Sequence, residues 1–372
     1  MKKKATLALA LSLTLGLLTG CGGGMTKNPD AFLKNEPAAI FDGGDGTEEH
    51  PYVITTPEGL SAVRDNLSAH YRLNADIDLS GADWTPIGAF TPEGGSDAER
   101  KIPVKEDAFT GVFDGGSHTV SNLLIHESDA DAVGLFACVR DARIYNLTVD
   151  GASVDGHSLT GAVVGYAYNS RLTAVSLTGV NAVVGHESAD EGAENIGGVI
   201  GGAVNSLIDS CSAKANVVLP DNSGVAGILC GGLEATSVVN GYATGTLTAG
   251  EDCHGIGAIS GSCVASEETT NCRAENVRIT TGASASFVGG LVGGVSVMDG
   301  NGGTVMTAFA RCAAENVAIR TGENSAVAGG VVGGDFDSVM DEDAPDNLTL
   351  TNCTLSGVTV NGEKAAMVGG GI

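Results

Sequence analysis

Aromatic residues are scarce in this chain. One Trp, six Tyr and nine Phe make up 4% of 372 residues, too few for an ordinary enzyme built around large aromatic cores. Proline is sparse too, with nine residues, and glycine does not fall at every third position, so a collagen triple helix is excluded. Positive charge is the third shortage: 19 Lys and Arg stand against 45 Asp and Glu, a formal net charge of -26. Such a chain repels nucleic acid and anionic lipid headgroups, and the imbalance argues against polyanionic substrates. Beyond the first twenty residues, no stretch is apolar and long enough to cross a bilayer. Glycine, at 56 residues, and small aliphatics are abundant instead. They belong to a hydrophobic share of 42%, which excludes disorder and suits a narrow core of Ala, Val, Ile and Leu.

The N-terminus reads as an address. Lys2, Lys3 and Lys4 precede an uncharged apolar stretch from Ala5 to Thr19, the size of a signal-peptide core and shorter than the ~20 residues of a spanning helix. Leu18-Thr19-Gly20-Cys21 follows and resembles the lipobox of bacterial lipoprotein signals. That resemblance implies cleavage before Cys21 and a diacylglycerol thioether on its sulfur. The expected divisions are a signal peptide over residues 1–20 and the lipidated Cys21 with a flexible Gly-, Pro- and Asp-containing tether over 21–46. A cap follows over 47–107, then repeats over 108–372. As a coil of about 25 residues the tether spans roughly 25 to 30 Å.

Self-similarity dominates the remainder. An apolar-Gly block recurs as TGAVVGY (160–166), IGGVIGG (196–202), AGILCGG (226–232), IGAISGS (256–262), VGGLVGG (288–294) and AGGVVGG (328–334), with shorter relatives at 133–137 and 368–372. Their first glycines are Gly134, Gly161, Gly197, Gly227, Gly257, Gly289, Gly329 and Gly369; steps of about 30 residues suit one coil of a repeat architecture. Between the blocks runs a second column: Leu147, Val175, Cys211, Gly241, Cys272, Cys312 and Cys353. Two residues further on, Val149, Leu177, Ala213, Ala243, Ala274, Ala314 and Leu355 form another. A spacing of two is the strand period. The expected fold is therefore all-β, a right-handed parallel β-helix (β-solenoid) of about 35 Å with equivalent residues stacked along its axis. Glycine would take positive φ at the coil corners and permit close backbone approach. A propeller would need aromatic or Trp-Asp marks in every blade, and Trp84 stands alone. Over residues 47–107, Pro57-Glu58 opens a short helix with Leu60, Val63 and Leu67 on one face. A strand with Leu73, Ala75, Ile77 and Leu79 follows, together a cap for the solenoid end.

The blocks resemble the GLUG repeat of bacterial surface proteins. Gly290-Leu291-Val292-Gly293 matches it letter for letter, and Gly134-Leu135-Phe136-Ala137 matches with Ala in the last place. His50–Asn66, Tyr71–Ser80, Trp84–Gly88 and Phe109–Ile125 look like the segment that leads into such repeats, so the resemblance covers about Gly46 to Ile372. It implies similarity to surface adhesin-like proteins and to regions accompanying IgA-cleaving proteases.

Chemistry is harder to place. Cys211, Cys272, Cys312 and Cys353 share one column and read as stacked core thiols, and Cys138 and Cys230 also read as core. Cys253 and Cys263 flank one block and are the disulfide candidates. Free thiols in an exported chain suit a weakly oxidising habitat. No CxxC or HExxH spacing occurs, so no zinc site is expected, and the seven His read as surface or cap residues. Asp335, Asp337, Asp341 and Asp343 in an acidic loop are the calcium candidates, weighed against a solvated loop because EF-hand spacing is absent. No other cofactor and no catalytic residue is expected. From Ala108 onward the basic residues, Arg140, Arg143 and Arg171 among them, are scattered through the chain.

The functional expectation is a lipid-anchored cell-surface solenoid, monomeric and non-catalytic. It would act as an adhesin-like binding or display module for a host or microbial surface glycan or protein. The alternatives are a polysaccharide lyase or glycosidase on the same scaffold, which would need a groove with clustered carboxylates and aromatics, and a rigid spacer for a further C-terminal domain.

Overall fold

The computed structural model describes residues 40–93, 102–187, 192–266, 268–297, 304–337, 348–362 and 367–369. Cys21, Asp341 and Asp343 lie outside them. The described chain is a parallel β-solenoid of one 22-stranded sheet and two seven-stranded sheets. From Thr160 to Thr321 each coil contributes to all three, while the strands before Phe136 belong to the large sheet alone. The large sheet carries the long strands Arg143–Asp150, Arg171–Thr178, Ser212–Leu219, Tyr242–Ala249 and Arg273–Thr281. One seven-stranded sheet runs from Phe136–Arg140 through Val164–Tyr168, Ile200–Val204, Cys230–Glu234 and Ser260–Val264 to Val292–Ser296 and Val332–Asp335. The other holds short strands from Thr160–Gly161 to Met367–Gly369.

Register follows the repeat. Gly161, Gly197, Gly227, Gly257, Gly289, Gly329 and Gly369 are directly paired neighbours. So are Val149, Leu177, Ala213, Ala243, Ala274, Ala314 and Leu355. Stacking like on like makes one narrow apolar core running from Ile54 to Val332. Strand Ser212–Leu219 alternates buried and open positions along almost its whole length, as the pleat of a one-sided sheet requires.

The thiol column also stacks. Val175 pairs with Leu147, Ala313 N donates to Cys272 O, and Thr354 N donates to Cys312 O, both at 2.9 Å. Cys211, Cys272 and Cys312 are buried and Cys353 is half-buried. The Cys272 thiol hydrogen-bonds Cys312, which holds Cys272 well above its ordinary 9.0 and brings Cys312 down to about 7. The expected Cys253–Cys263 disulfide is not formed: both are free, buried thiols. Cys253 Sγ donates to Pro220 O at 3.1 Å, while Cys263 Sγ shares a 3.1 Å hydrogen bond with Ser260 Oγ. The two belong to different sheets. Cys263 points into a file with Leu233 and Val295, and Cys253 precedes the short strand His254–Gly257.

Glycine plays both of its expected roles, the first only in part: Gly116, Gly151, Gly179, Gly255 and Gly357 have φ between 58 and 78°. Corner positions with positive φ are held mainly by other residues: Asn146, Ala174, Ser210, Asn240, Asn271, Arg311 and Asn352 form one corner column, with φ between 53 and 56°. Asn tolerates this left-handed region through local hydrogen bonding of its short amide. Asn271 Nδ2 donates to Asn240 Oδ1 at 3.2 Å, which ties successive corners together. The block glycines are there for space. A Cβ on Gly289 would come within 1.8 Å of Val292 O, and one on Gly293 within 2.2 Å of Ile256 N. A buried hydroxyl ladder at another corner performs a second satisfaction task. Ser170, Ser206 and Thr236 accept from the backbone N–H of Ala142, Ser170 and Ser206, each at 3.1 Å, and donate to the carbonyl two residues back.

The leading segment adds coils of its own rather than sitting apart as a cap. Tyr52–Ile54 pairs with His70–Leu73, that strand with Val112–Asp114, and that in turn with Arg143–Asp150. Helix Pro57–Ser61 begins as its sequence dictates: Thr56 Oγ1 accepts from Gly59 N at 3.1 Å, and Pro57 occupies the first turn. It continues as a 3-10 turn over Ala62–Asp65, and Leu60 and Val63 are fully buried in the common core. The strand expected over Leu73 to Leu79 is interrupted, with ladder pairing only at His70–Leu73 and Ile77–Asp78.

Candidate functional site

The sheet containing Val164–Tyr168 has an outer face, and one column on it changes character along the axis. Cys138, Tyr166, Gly202, Gly232, Ser262 and Gly294 are successive partners. At the N-terminal coils this face is covered: Phe90 packs edge-on against Tyr166 at 5.0 Å, within a small cluster that includes Cys138, Ala132 and Leu159. Past Tyr166 the column shrinks to Gly202, Gly232 and Ser262, and an open trough of about 860 Å³ appears. Beyond Ser262 the face closes again, because the Phe336 ring lies over Gly294 and packs on Phe287 at 4.4 Å. An aromatic lid at each end thus leaves the middle coils bare.

One wall is the neighbouring outward column Tyr168, Val204, Glu234 and Val264. The other wall comes from the corner segments that bear His157, Glu194, Asn195 and His254. Asn195 has φ 58° and leans its amide over Gly232, where a Cβ would meet Asn195 Oδ1 at 1.9 Å. Glu194 is fixed through its backbone, whose N–H donates to Ser158 Oγ at 3.0 Å. His157 was expected at the surface, yet its side chain is only 12% exposed and its Nδ1 lies 2.9 Å from Asp131 Oδ1. Burial pushes the Tyr166 phenol far above its ordinary value, with Cys138, Glu234 and Tyr168 adding repulsion, so it stays protonated. Among the described residues three carboxylates, Asp131, Glu194 and Glu234, line the trough, and no Lys or Arg does. Such a lining offers acceptors for hydroxyl or ammonium groups and an aromatic flank at Tyr168, while it repels anions.

The sequence-predicted residues lie elsewhere. Asp337 is used structurally: its Oδ1 accepts from Ser296 Oγ at 2.8 Å and its Oδ2 from Val297 N at 2.7 Å. Asp335 Oδ1 accepts from Asp337 N at 2.9 Å. Among the described residues no group of three or more His, Cys, Asp or Glu is placed to hold a metal ion. Sequence reasoning missed Tyr168, Glu194 and Glu234. A signal existed, since aligned blocks read Tyr166, Gly202, Gly232, Ser262 at one position, an aromatic giving way to small residues.

No family model matches the chain. Over 181 residues, 46% of the chain, it is 36% identical to Halomucin of Haloquadratum walsbyi, and over 143 residues, 35% of the chain, 32% identical to a “Putative Gly-rich membrane protein” of Evansella cellulosilytica. These matches span 2% and 15% of those relatives' lengths. Among solved structures, a “putative immunoglobulin A1 protease” from Bacteroides ovatus superposes with a TM-score of 0.48 at 20% identity, covering 87% of this chain and 81% of the other.

Proposed function

We propose that this chain is a cell-surface β-solenoid of the GLUG-repeat kind, monomeric, lipid-anchored through Cys21, and adhesin-like. It acts as a non-catalytic module that binds surface glycans in the trough. The observation that carries this reading is the bare stretch Gly202–Gly232–Ser262 between two aromatic-covered regions, flanked by Tyr168 and three carboxylates. Its volume lies in the range of small-ligand sites, and its polarity suits neutral or amino sugars. The names of the sequence relatives, a membrane protein and a Halomucin, support a location at the cell surface.

The test is a glycan array with the mature chain carrying Cys21→Ser, followed by calorimetry on any hit. Tyr168→Ala is expected to weaken binding about tenfold, the loss of ~1.4 kcal/mol of aromatic contact. No bound neutral or amino sugar, or binding indifferent to Tyr168→Ala, sinks the proposal. A second reading is favoured by the presence of both Glu194 and Glu234 in the trough, which a glycosidase would use as acid and base. Release of reducing sugar, abolished by Glu194→Gln or Glu234→Gln, would establish that reading instead.

A further inference from the structure

Basic residues scattered in the sequence are gathered by the register. On the outer face of the large sheet, near the leading coils, two rows run along the axis. His70, Val112, Arg143 and Arg171 form one row, and Arg72, Asp114, Tyr145 and Thr173 form the next. A depression of about 610 Å³ lies over them, with Glu48 and Glu49 on its rim. In a chain with 45 acidic and only 19 Lys and Arg residues, three guanidinium groups that match Glu48, Glu49 and Asp114 one for one make this a place where the negative excess is cancelled.

We propose that this depression is a binding site for the carboxylate of an acidic sugar at the end of a glycan, gripped by Arg143 and Arg171 with Arg72 beside them. Arg143 and Arg171 are direct in-register neighbours, an arrangement of like charges that costs stability unless an anion bridges them. The sheet does not require it, because both side chains are about half exposed, at 54%. Their present partners leave donors in hand. Arg143 uses Nη2 on Glu48 Oε1 at 3.2 Å, Arg171 uses Nη2 on Asp209 Oδ2 at 3.8 Å and Nε on Thr173 Oγ1 at 3.3 Å, and Arg72 uses Nε on Asp114 Oδ2 at 3.6 Å, so each keeps at least three N–H donors. Each guanidinium carries five N–H donors in a planar fork suited to two-point carboxylate binding.

Glu48 is the telling partner. Its side chain is 72% exposed and reaches Arg143 from 95 residues away in sequence. Its carboxylate stands where a ligand carboxylate would stand, as an internal competitor. The surroundings offer sugar-type contacts: the half-buried Tyr145, the Thr173 hydroxyl and the His70 imidazole. An acidic peptide fits less well, since strand addition needs a free sheet edge and these strands are paired on both sides. The acidic remainder of the chain does not forbid the site, because charges more than ~8 Å away are largely screened at physiological ionic strength.

The experiment titrates the mature chain carrying Cys21→Ser with glucuronic acid and N-acetylneuraminic acid by calorimetry. Glucose, inorganic sulfate and an oligoglutamate peptide serve as comparison probes. At least one sugar acid should bind, Arg143→Gln and Arg171→Gln should each weaken that binding about tenfold, and neither should alter any binding of glucose. Glu48→Gln should strengthen sugar-acid binding several-fold, a gain that misfolding cannot imitate. Arg278→Gln, an exposed arginine further along the same sheet, should change nothing. Sugar acids that fail to bind, glucose binding that is weakened equally by Arg143→Gln, or sugar-acid binding indifferent to both the Arg143 and Glu48 substitutions overturns the proposal. Equal or tighter binding of sulfate or oligoglutamate overturns it too, in favour of a general anion or peptide site. The anionic probes are repelled from the acidic trough, and any glucose bound there is indifferent to Arg143→Gln, so the result stands whether or not the trough binds glycans.

Discussion

The trough and the arginine rows occupy different sheets of one scaffold, and their contrast shows where specificity resides in a solenoid. Backbone geometry is nearly the same from coil to coil, because each coil must pair with the next in register. Character therefore comes from the outward columns, one side chain per coil. In the trough, the column Tyr166, Gly202, Gly232, Ser262 makes room, and Asp131, Glu194 and Glu234 make the room negative. Over the large sheet, the column His70, Val112, Arg143, Arg171 and the neighbouring Arg72 set guanidinium groups against Glu48, Glu49 and Asp114 in a chain whose net charge is -26. A single net charge describes neither place.

The largest expected effect separates folding from function at two adjacent glycines. A Cβ on Gly231 would strike backbone, Gly201 O at 2.3 Å and Asn195 C at 2.6 Å, whereas one on Gly232 would first meet the Asn195 side-chain oxygen at 1.9 Å. Backbone cannot give way and a side chain can. Gly231→Ala should cost about 3 kcal/mol in urea denaturation, while Gly232→Ala should cost under about 1 kcal/mol and yet abolish trough binding by displacing Asn195. Equal losses of stability would show that both glycines serve packing and that the trough floor has no separate role.

The inner columns respond to pH. Burial pushes the thiols of Cys138 and Cys211 up to about 12 and that of Cys263 to about 11, from an ordinary 9.0. An acid held neutral in the folded state favours unfolding once the unfolded thiol can ionise. Stability is therefore full below pH 9 and declines as pH rises toward 11 to 12. Urea midpoints between pH 8 and 10.5 should fall, by roughly 1 kcal/mol per thiol for each pH unit above 9, and replacing all three thiols by Ala should make that limb shallower, with Cys230 and Cys272, also held well above 9.0, supplying what is left. An unchanged limb would place these thiols outside the sealed core.

Much of this was legible in the sequence, and the limits have physical causes. The columns starting at Leu147 and Val149, and the glycine file through Gly369, could be read because inward positions admit only small or apolar residues, so the period repeats. The corners were read only in part, since Gly151 and Gly179 do take positive φ while most such positions hold other residues. Glycine was expected there, but Asn meets the same φ requirement, and the glycines answer a steric need visible only once neighbouring strands are in place. The trough and the arginine rows were hidden for another reason. Outward residues carry no packing constraint, and Arg72, Arg143 and Arg171 become neighbours only through register. A smaller test addresses the corners directly. Ser206→Ala removes the acceptor for Ser170 N within the buried ladder and should cost about 1 to 2 kcal/mol, the penalty for an unsatisfied buried N–H. Thr or Cys there should recover part of the loss.

The smallest effect bears most directly on the contrast between the two sites. Glu234 is half-buried beside Gly232 and Leu233 on the trough wall, while Glu194 is exposed on the opposite wall. If their charge sets the preference, glucosamine, protonated at neutral pH, should bind more tightly than N-acetylglucosamine, which has the same ring without the charge. The margin should be modest, since partly exposed ion pairs contribute only ~0.2 to 1 kcal/mol, or up to about fivefold. Glu234→Gln should erase most of that margin while leaving N-acetylglucosamine unaffected, and 0.5 M salt should do the same to the unsubstituted chain. The arginine rows should rank charged sugars in the opposite order, taking glucuronate and refusing glucosamine. A chain that ranked the probes identically at both places would have its selectivity governed by net charge, and the column-by-column account of specificity would fail.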